Sequence, residues 1–206
     1  LKQKITQKTK AIVPVHLYGQ CADMEPILEV AQKHNLFVIE DAAQSLGAEY
    51  TFTDGMKKRS GTMGTIGTTS FFPTKNITTG EGGAVSSSNP EILKKAKRFA
   101  RQGLVRDPKD FLLIPDGEWH QEVHEFGLNY RLPDVLCALG LSQLQRLGEF
   151  KEKRNQIFSL YGESFKNLES IRTPTVKQEI SPMWHLYPIQ VNPNRRQIIF
   201  EELRKA

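Results

Sequence analysis

The residues best suited to chemistry lie in Ser70-Phe71-Phe72-Pro73-Thr74-Lys75-Asn76-Ile77-Thr78-Thr79-Gly80-Glu81-Gly82-Gly83, where one lysine stands between an apolar run and a glycine-rich turn. Ser70–Phe72 reads as the end of a strand and Ala84–Ser87 as the start of the next, with the glycines reversing the chain between them. Lys75 then sits on a loop held by a scaffold, where reactive groups tend to be carried. A loop lysine taken alone is ordinarily a solvated charge. The upstream run Leu36-Phe37-Val38-Ile39-Glu40-Asp41-Ala42-Ala43-Gln44 changes that reading. It has the character of a buried strand ending in an acid, and an Asp at the carboxyl end of a parallel strand faces the crevice where open α/β sheets bind ligands. Together the two residues have a use. The lysine amine can hold pyridoxal phosphate as a Schiff base while the aspartate keeps the pyridine nitrogen protonated.

The elements that must position this pair follow from periodicity. Ala11–His16 reads as a strand and Asp23–His34 as a helix, with Asp23 as N-cap and Ile27, Leu28, Val30 and Ala31 turned inward. With the strand at Leu36–Ile39 this forms a β-α-β unit whose right-handed crossover lays the helix on one face of a parallel sheet. His16, Tyr18 and Gly19 fall at the carboxyl end of the first strand, facing the crevice of Asp41; a hydrogen-bonded structural role for His16 is equally open. Gly47–Thr68 reads as a strand and hairpin leading into the lysine loop. Gly61, Gly64 and Gly67 are spaced GxxGxxG, precede a strand and lack a following Gly-Lys-Ser/Thr, so they are turn punctuation and not a nucleotide loop.

Further on, Asn89-Pro90 opens a helix over Glu91–Gln102 that Gly103 closes. Leu104–Glu125 is a long irregular segment, expected near a substrate or a partner subunit. Its His120 and His124 lack the further ligands a metal site needs. From Leu132-Pro133-Asp134 the longest helical pattern runs on, with an apolar stripe through Val135, Leu136, Ala138, Leu139, Leu141, Leu144 and Leu147. It continues, more polar, to Phe165. Pro174–Pro182 reads as a loop, His185–Val191 as a strand and Asn194–Lys205 as an amphipathic helix. The expected division is residues 1–150 as part of a large domain and 151–206 as the start of a smaller one.

Composition narrows the class. The 206 residues, 38% hydrophobic and 25% charged, suit an ordinary globular protein. Lys and Arg outnumber Asp and Glu 28 to 23, giving a net charge of +5. The basic residues are dispersed, without the aromatic-laced basic face that nucleic-acid binding requires. Two cysteines far apart in sequence fit reduced thiols, and no apolar run could span a bilayer. The expectation is a cytoplasmic protein that binds neither nucleic acid nor membrane.

Three pieces in order, Glu40-Asp41-Ala42-Ala43-Gln44, Ser70-Phe71-Phe72 with Lys75 and Gly80-Glu81-Gly82-Gly83, and Gly127-Leu128-Asn129-Tyr130-Arg131, resemble the DegT/DnrJ/EryC1/StrS family of sugar aminotransferases. The likeness runs from about Thr9 to the last residue. It implies an α/β fold of the fold-type I pyridoxal-phosphate transferases, with a mostly parallel sheet, flanking helices and part of a smaller α/β C-terminal domain. It implies that Lys75 is the catalytic lysine that carries the cofactor, that Asp41 pairs with the pyridinium nitrogen, that Gln44 contacts the phenolic oxygen and that Ser70 binds the phosphate. Asn129 matches an asparagine that reaches the phosphate in the neighbouring subunit, implying a homodimer with shared sites. His16, Tyr130, Arg131 and His185 are the implied substrate-side residues. Family members are longer on both sides, so the chain is expected to be an internal piece.

The implied reaction transfers an amino group, with glutamate as donor, to a nucleotide-linked keto-sugar for surface polysaccharide or glycan synthesis. Phe126–Leu147 and Trp184–Ile189 look most like the subgroup that aminates C4 of a UDP-linked 4-keto-6-deoxy amino sugar. Two alternatives remain at this point: a dehydratase or lyase on the same scaffold, in which the family has histidine in place of the lysine, and a non-catalytic sugar-binding homologue.

Overall fold

The computed structural model describes all 206 residues. Its central sheet is built from β1 (Ala11–Ile12), β2 (Phe37–Asp41), β5 (Ile66–Ser70) and β6 (Gly83–Ser86), in that spatial order. The first three are parallel, and β6 returns antiparallel to β5 with Ser70 opposite Gly83. Helix α1 (Met24–Lys33) joins β1 to β2, as the β-α-β pattern predicts. β1 is shorter than the predicted strand because the chain turns away after Ile12 and rejoins the sheet only through a bridge from Val15 to Asp41. Asp23 occupies the N-cap position without capping. Its carboxylate is committed elsewhere, accepting from Tyr50 Oη at 3.0 Å and from Lys177 Nζ at 2.9 Å.

Between β2 and β5 lies the predicted hairpin, β3 (Glu49–Thr51) with β4 (Lys57–Arg59). It gains a third strand from far away: β10 (Ile180–Ser181) pairs antiparallel with β3, Ile180 opposite Tyr50. A core of 11 buried residues is thereby closed across the chain, with Met24, Val30 and Ala31 of α1, Val38 of β2, Tyr50 of β3, and Ile180 and Met183 from the later segment. Burying such side chains supplies the main stabilising term.

After β6, helix α2 (Pro90–Phe99) is capped by the Asn89 side chain, which accepts from the Glu91 amide at 2.9 Å. It ends three residues before the predicted limit, where the Gly103 amide donates back to the Arg98 carbonyl at 3.0 Å. The segment read as irregular contains a two-stranded ladder, β7 (Leu104–Val105) with β8 (Glu122–Val123). Glu122 staples the loop between them: its carboxylate accepts from the Leu112 and Leu113 amides at 2.8 and 2.9 Å and from the rings of His120 and His124. Burial pushes the Glu122 carboxyl up, but these four donors outweigh it and bring its pKa down to about 2.

The long helical pattern is two helices, α3 (Asp134–Gln145) and α4 (Leu147–Phe165), broken at Arg146, whose φ of −97° and ψ of 4° leave the helix. The apolar stripe of α3 is mostly uncovered in this chain, with Val135 74% and Leu141 65% exposed. The predicted strand over His185–Val191 shrinks to β11 (Gln190–Val191), which pairs with β9 (Ile171–Arg172), because the backbone of Met183–His185 bonds to other partners described below. Helix α5 (Arg196–Lys205) ends the chain, and no helix is long and apolar enough to cross a membrane.

Candidate active site

Asp41 ends β2 and Ser70 ends the adjacent parallel strand β5, so both lie on the carboxyl edge of the sheet. The loop carrying Lys75 leaves from that edge and returns at Gly83. Its closure is local: the Phe71 carbonyl accepts from the Thr79 amide at 3.0 Å and from Thr78 Oγ1 at 3.1 Å, and the Phe71 amide donates to the Gly82 carbonyl at 2.9 Å. Ile77 and Thr79 are buried beneath the loop. Helix α3 presses on it from the far side, where Gly140 leaves only 3.0 Å between an added Cβ and the Thr79 methyl group.

Lys75 itself is half-buried, and its amine makes no hydrogen bond or ion pair within the chain. Asp41 is half-buried as well. One of its oxygens accepts from the Ala43 amide at 3.1 Å, and the other is free. Gln44, in the turn that follows, accepts the Tyr18 amide on Oε1 at 2.8 Å. Ser70 Oγ accepts the Phe72 amide at 3.3 Å. Thus Asp41, Gln44, Ser70 and Lys75 gather on one edge of the sheet.

His185 joins them from the later part of the chain. Lys75 is among its neighbours, and its pKa is lowered, first by burial and then by the charges of Lys75 and Arg154. Both of its ring nitrogens and Asn76 Oδ1 are buried without a hydrogen-bond partner.

His16 does not face this edge. It is fully buried, its Nδ1 accepts the Ala22 amide at 2.9 Å and its Nε2–H donates to Glu40 at 2.8 Å. Both nitrogens are thereby used, and the structural role stands instead of the substrate-side one. The Glu40 carboxylate also accepts the amides of Gly61, Met63 and Gly64 at 2.8, 2.6 and 2.5 Å. Burial raises its pKa, but His16 and these amides more than offset that and hold it below the usual carboxylate range. The glycines read as punctuation therefore form a cradle for a buried carboxylate. At Gly64 any Cβ would stand 2.6 Å from the Val38 carbonyl oxygen.

Asn129, Tyr130 and Arg131 are docked on the end of α2, and the next residue, Leu132, lies against Gly82 of the lysine loop. The Tyr130 amide donates to the Ala100 carbonyl at 3.0 Å, and Arg131 Nε donates to Asn129 Oδ1 at 3.0 Å. All three side chains are exposed, and no hydrogen bond joins them to the lysine loop. Arg131 lines a groove of about 770 Å³ with Lys97, Arg101 and Lys109. The sequence reading placed Tyr18 at the crevice without a role and missed the parts played by Asn76 and Arg154, which carry no local signal. Tyr18 holds a left-handed φ of 59°, which only coordinates reveal.

Comparison with known proteins identifies the family and the fold. The chain is 42% identical over 168 residues to a GDP-perosamine synthase of Caulobacter vibrioides, covering 82% of this chain and 41% of that protein. It superposes on PseC of Helicobacter pylori, an aminotransferase involved in the biosynthesis of pseudoaminic acid, with a TM-score of 0.87 and 32% identity, over 100% of this chain and 52% of that one. The PLP form of Spr1654 from Streptococcus pneumoniae matches at a TM-score of 0.86 and 26% identity, over 100% and 54%. The chain spans about half the length of the curated relatives it matches. The fold is that of the fold-type I pyridoxal-phosphate transferases. The model of the DegT/DnrJ/EryC1/StrS aminotransferase family matches residues 1–206, from end to end, and the chain belongs to that family.

Proposed function

We propose that the protein is a pyridoxal-phosphate-dependent aminotransferase that moves an amino group from an amino acid, glutamate in the first instance, to a nucleotide-linked keto-sugar. The observation that carries this is the half-buried, unpaired amine of Lys75 on the same sheet edge as the free carboxylate oxygen of Asp41. The residues present fit the cofactor, since the unpaired Lys75 amine and the free Asp41 oxygen are the two groups that its aldehyde and its pyridine nitrogen would need. Bound there, the cofactor would draw electrons from the carbon that exchanges the amine.

Lys75 Nζ would hold the cofactor, and its amine would serve as the base for the proton on the donor's α-carbon. Asp41 stabilises the positive charge that the pyridine nitrogen must keep. Gln44 fixes the turn beside it, and Ser70 offers a hydroxyl to the phosphate. The neutral, half-buried His185 lines the lysine's side of the site, with its pKa kept low by burial and by Lys75.

Asn129 is read as serving the site of a second subunit in a homodimer, a reading supported by its exposure, by the absence of a hydrogen bond from it to the lysine loop and by the uncovered apolar face of α3. Tyr130 and Arg131 go with it. The basic groove that Arg131 lines suits the diphosphate of a nucleotide sugar. Within this reading residues 1–150 supply the cofactor-binding part and 151–206 begin a smaller unit, and the enzyme works in the cytoplasm. The sugar is read as a UDP-linked 4-keto-6-deoxy amino sugar, consistent with the likeness to PseC. Lys75 also argues against the dehydratase branch.

The test is borohydride reduction of the full-length protein with pyridoxal phosphate, followed by peptide mass mapping. A phosphopyridoxyl group on Lys75 is the expected result. No adduct, or one spread over surface lysines, overturns the assignment. Glutamate-dependent amination of keto-sugar nucleotides then identifies the acceptor.

A further inference from the structure

Asn76, next to Lys75, is 3% exposed, and its side chain crosses the fold. Its Nδ2 donates to the Met183 carbonyl at 3.1 Å and to the Trp184 carbonyl at 3.3 Å. The Trp184 carbonyl also accepts from Arg154 Nη1 of α4 at 2.9 Å. The Trp184 ring is stacked on Phe158 of the same helix, centroids 3.6 Å apart and planes 9° from parallel. The far side of this segment is tied in turn to the opposite half of the site: the Met183 amide donates to the Gly19 carbonyl at 2.9 Å and the His185 amide to the Tyr18 carbonyl at 3.0 Å. Tyr18 then donates its own amide to Gln44 Oε1 at 2.8 Å.

A continuous strut of hydrogen bonds therefore runs from the lysine loop, through Met183–His185, to the turn that follows Asp41. We infer that Asn76 is the positioning residue for Lys75, fixing the distance between the lysine amine and the Asp41–Gln44 turn through this strut. The inference rests on the assignment of Lys75 as the cofactor lysine. The Lys75 amine has no partner of its own, so its place is set by the backbone beneath it. That backbone is anchored from the next residue by two donors that no apolar side chain replaces. Asn76→Leu would keep the branching of asparagine while removing both bonds. Aspartate would set a carboxylate against two carbonyl oxygens. A lysine released in this way keeps its chemistry but loses its orientation, and a displacement of about 1 Å can slow an oriented reaction by around 100-fold.

The experiment follows imine formation spectroscopically when pyridoxal phosphate is added to the cofactor-free, full-length protein, and runs thermal melting in parallel. The variants are Asn76→Leu, Asn76→Asp, Arg154→Met and Ile77→Ala, the last being a neighbouring buried residue outside the strut. Imine formation slowed by about 10- to 100-fold in both Asn76 variants is expected, with near-parent rates in Ile77→Ala despite its lower melting temperature. Turnover should fall in kcat with KM for the sugar little changed. Arg154→Met loosens Trp184 from the exposed helix and slows imine formation by a smaller factor, and it carries the test if the Asn76 variants do not fold. Parent rates in Asn76→Leu or, where that does not fold, in Arg154→Met overturn the inference, as does equal slowing in Ile77→Ala. Failure of the parent protein to form the Lys75 imine overturns the cofactor assignment itself.

Discussion

Glu40 and Asp41 are consecutive on β2 and face opposite ways. Glu40 is fully buried against His16 and three backbone amides, while Asp41 reaches the sheet edge with one oxygen free. Alternation along a strand imposes this division, giving one acid to the fold and the next to the site. Two neighbouring carboxylates should therefore fail in different ways when removed.

Asp41→Ala in the full-length protein should leave the melting temperature near that of the parent and lower amine transfer by roughly three powers of ten, the order expected when a charge that stabilises the reacting state is withdrawn. Steady-state kinetics beside a thermal melt separates the two effects. A rate within tenfold of the parent would remove Asp41 from its assigned role.

Glu40→Ala should do the reverse. It strips the acceptor from His16 Nε2 and from the amides of Gly61, Met63 and Gly64, all in a dry interior. Breaking a buried, multiply bonded charge in this way costs about 3–5 kcal/mol. Denaturant unfolding should report a loss of that order. A loss below about 1 kcal/mol would mean that the cradle contributes little.

The sheet edge was legible because its signals are local. The apolar run ending in Asp41, the glycines after Lys75 and the Asn89-Pro90 cap each declare themselves within a few residues. What stayed hidden depends on contacts between distant parts. Nothing near Ile180 announces that it pairs with Tyr50, nor anything near Asn76 that its amide reaches Met183. His16 follows the Val15 bridge and not the end of β1, and the direction of its ring was decided by the unseen carboxylate of Glu40. The Met183–His185 backbone is drawn into the strut, and for that reason the pattern that resembles a strand over His185–Val191 yields so little of one.

Gly19→Ala tests the other end of that strut. Gly19 has a φ of +99°, and an added Cβ would overlap the Met183 carbonyl. Left-handed strain and a backbone clash together should cost about 2 kcal/mol or more. The clash pushes Met183 away from Gly19, so hydrogen exchange at the Met183 and His185 amides should quicken more than at the Val38 amide in the core. Uniform quickening would place the damage in global stability alone.

The Glu122 staple predicts a local acid response in the loop between β7 and β8. The carboxyl is lowered from 4.5 to about 2, so the unfolded loop binds a proton more readily than the folded one. Its stabilising contribution is therefore complete above the ordinary value and is lost as pH falls from about 4.5 toward 2. Limited proteolysis with an acid-active protease should cut within Leu112–Trp119, where Leu112, Leu113, Ile114 and Trp119 are exposed, increasingly across that window. Glu122→Gln keeps the size but removes the charge. Its loop should be cleaved readily already at pH values where the parent resists, with a flat dependence on acid. If the parent and Glu122→Gln shared one cleavage profile, the loop would be held by the β7–β8 ladder and not by the carboxylate.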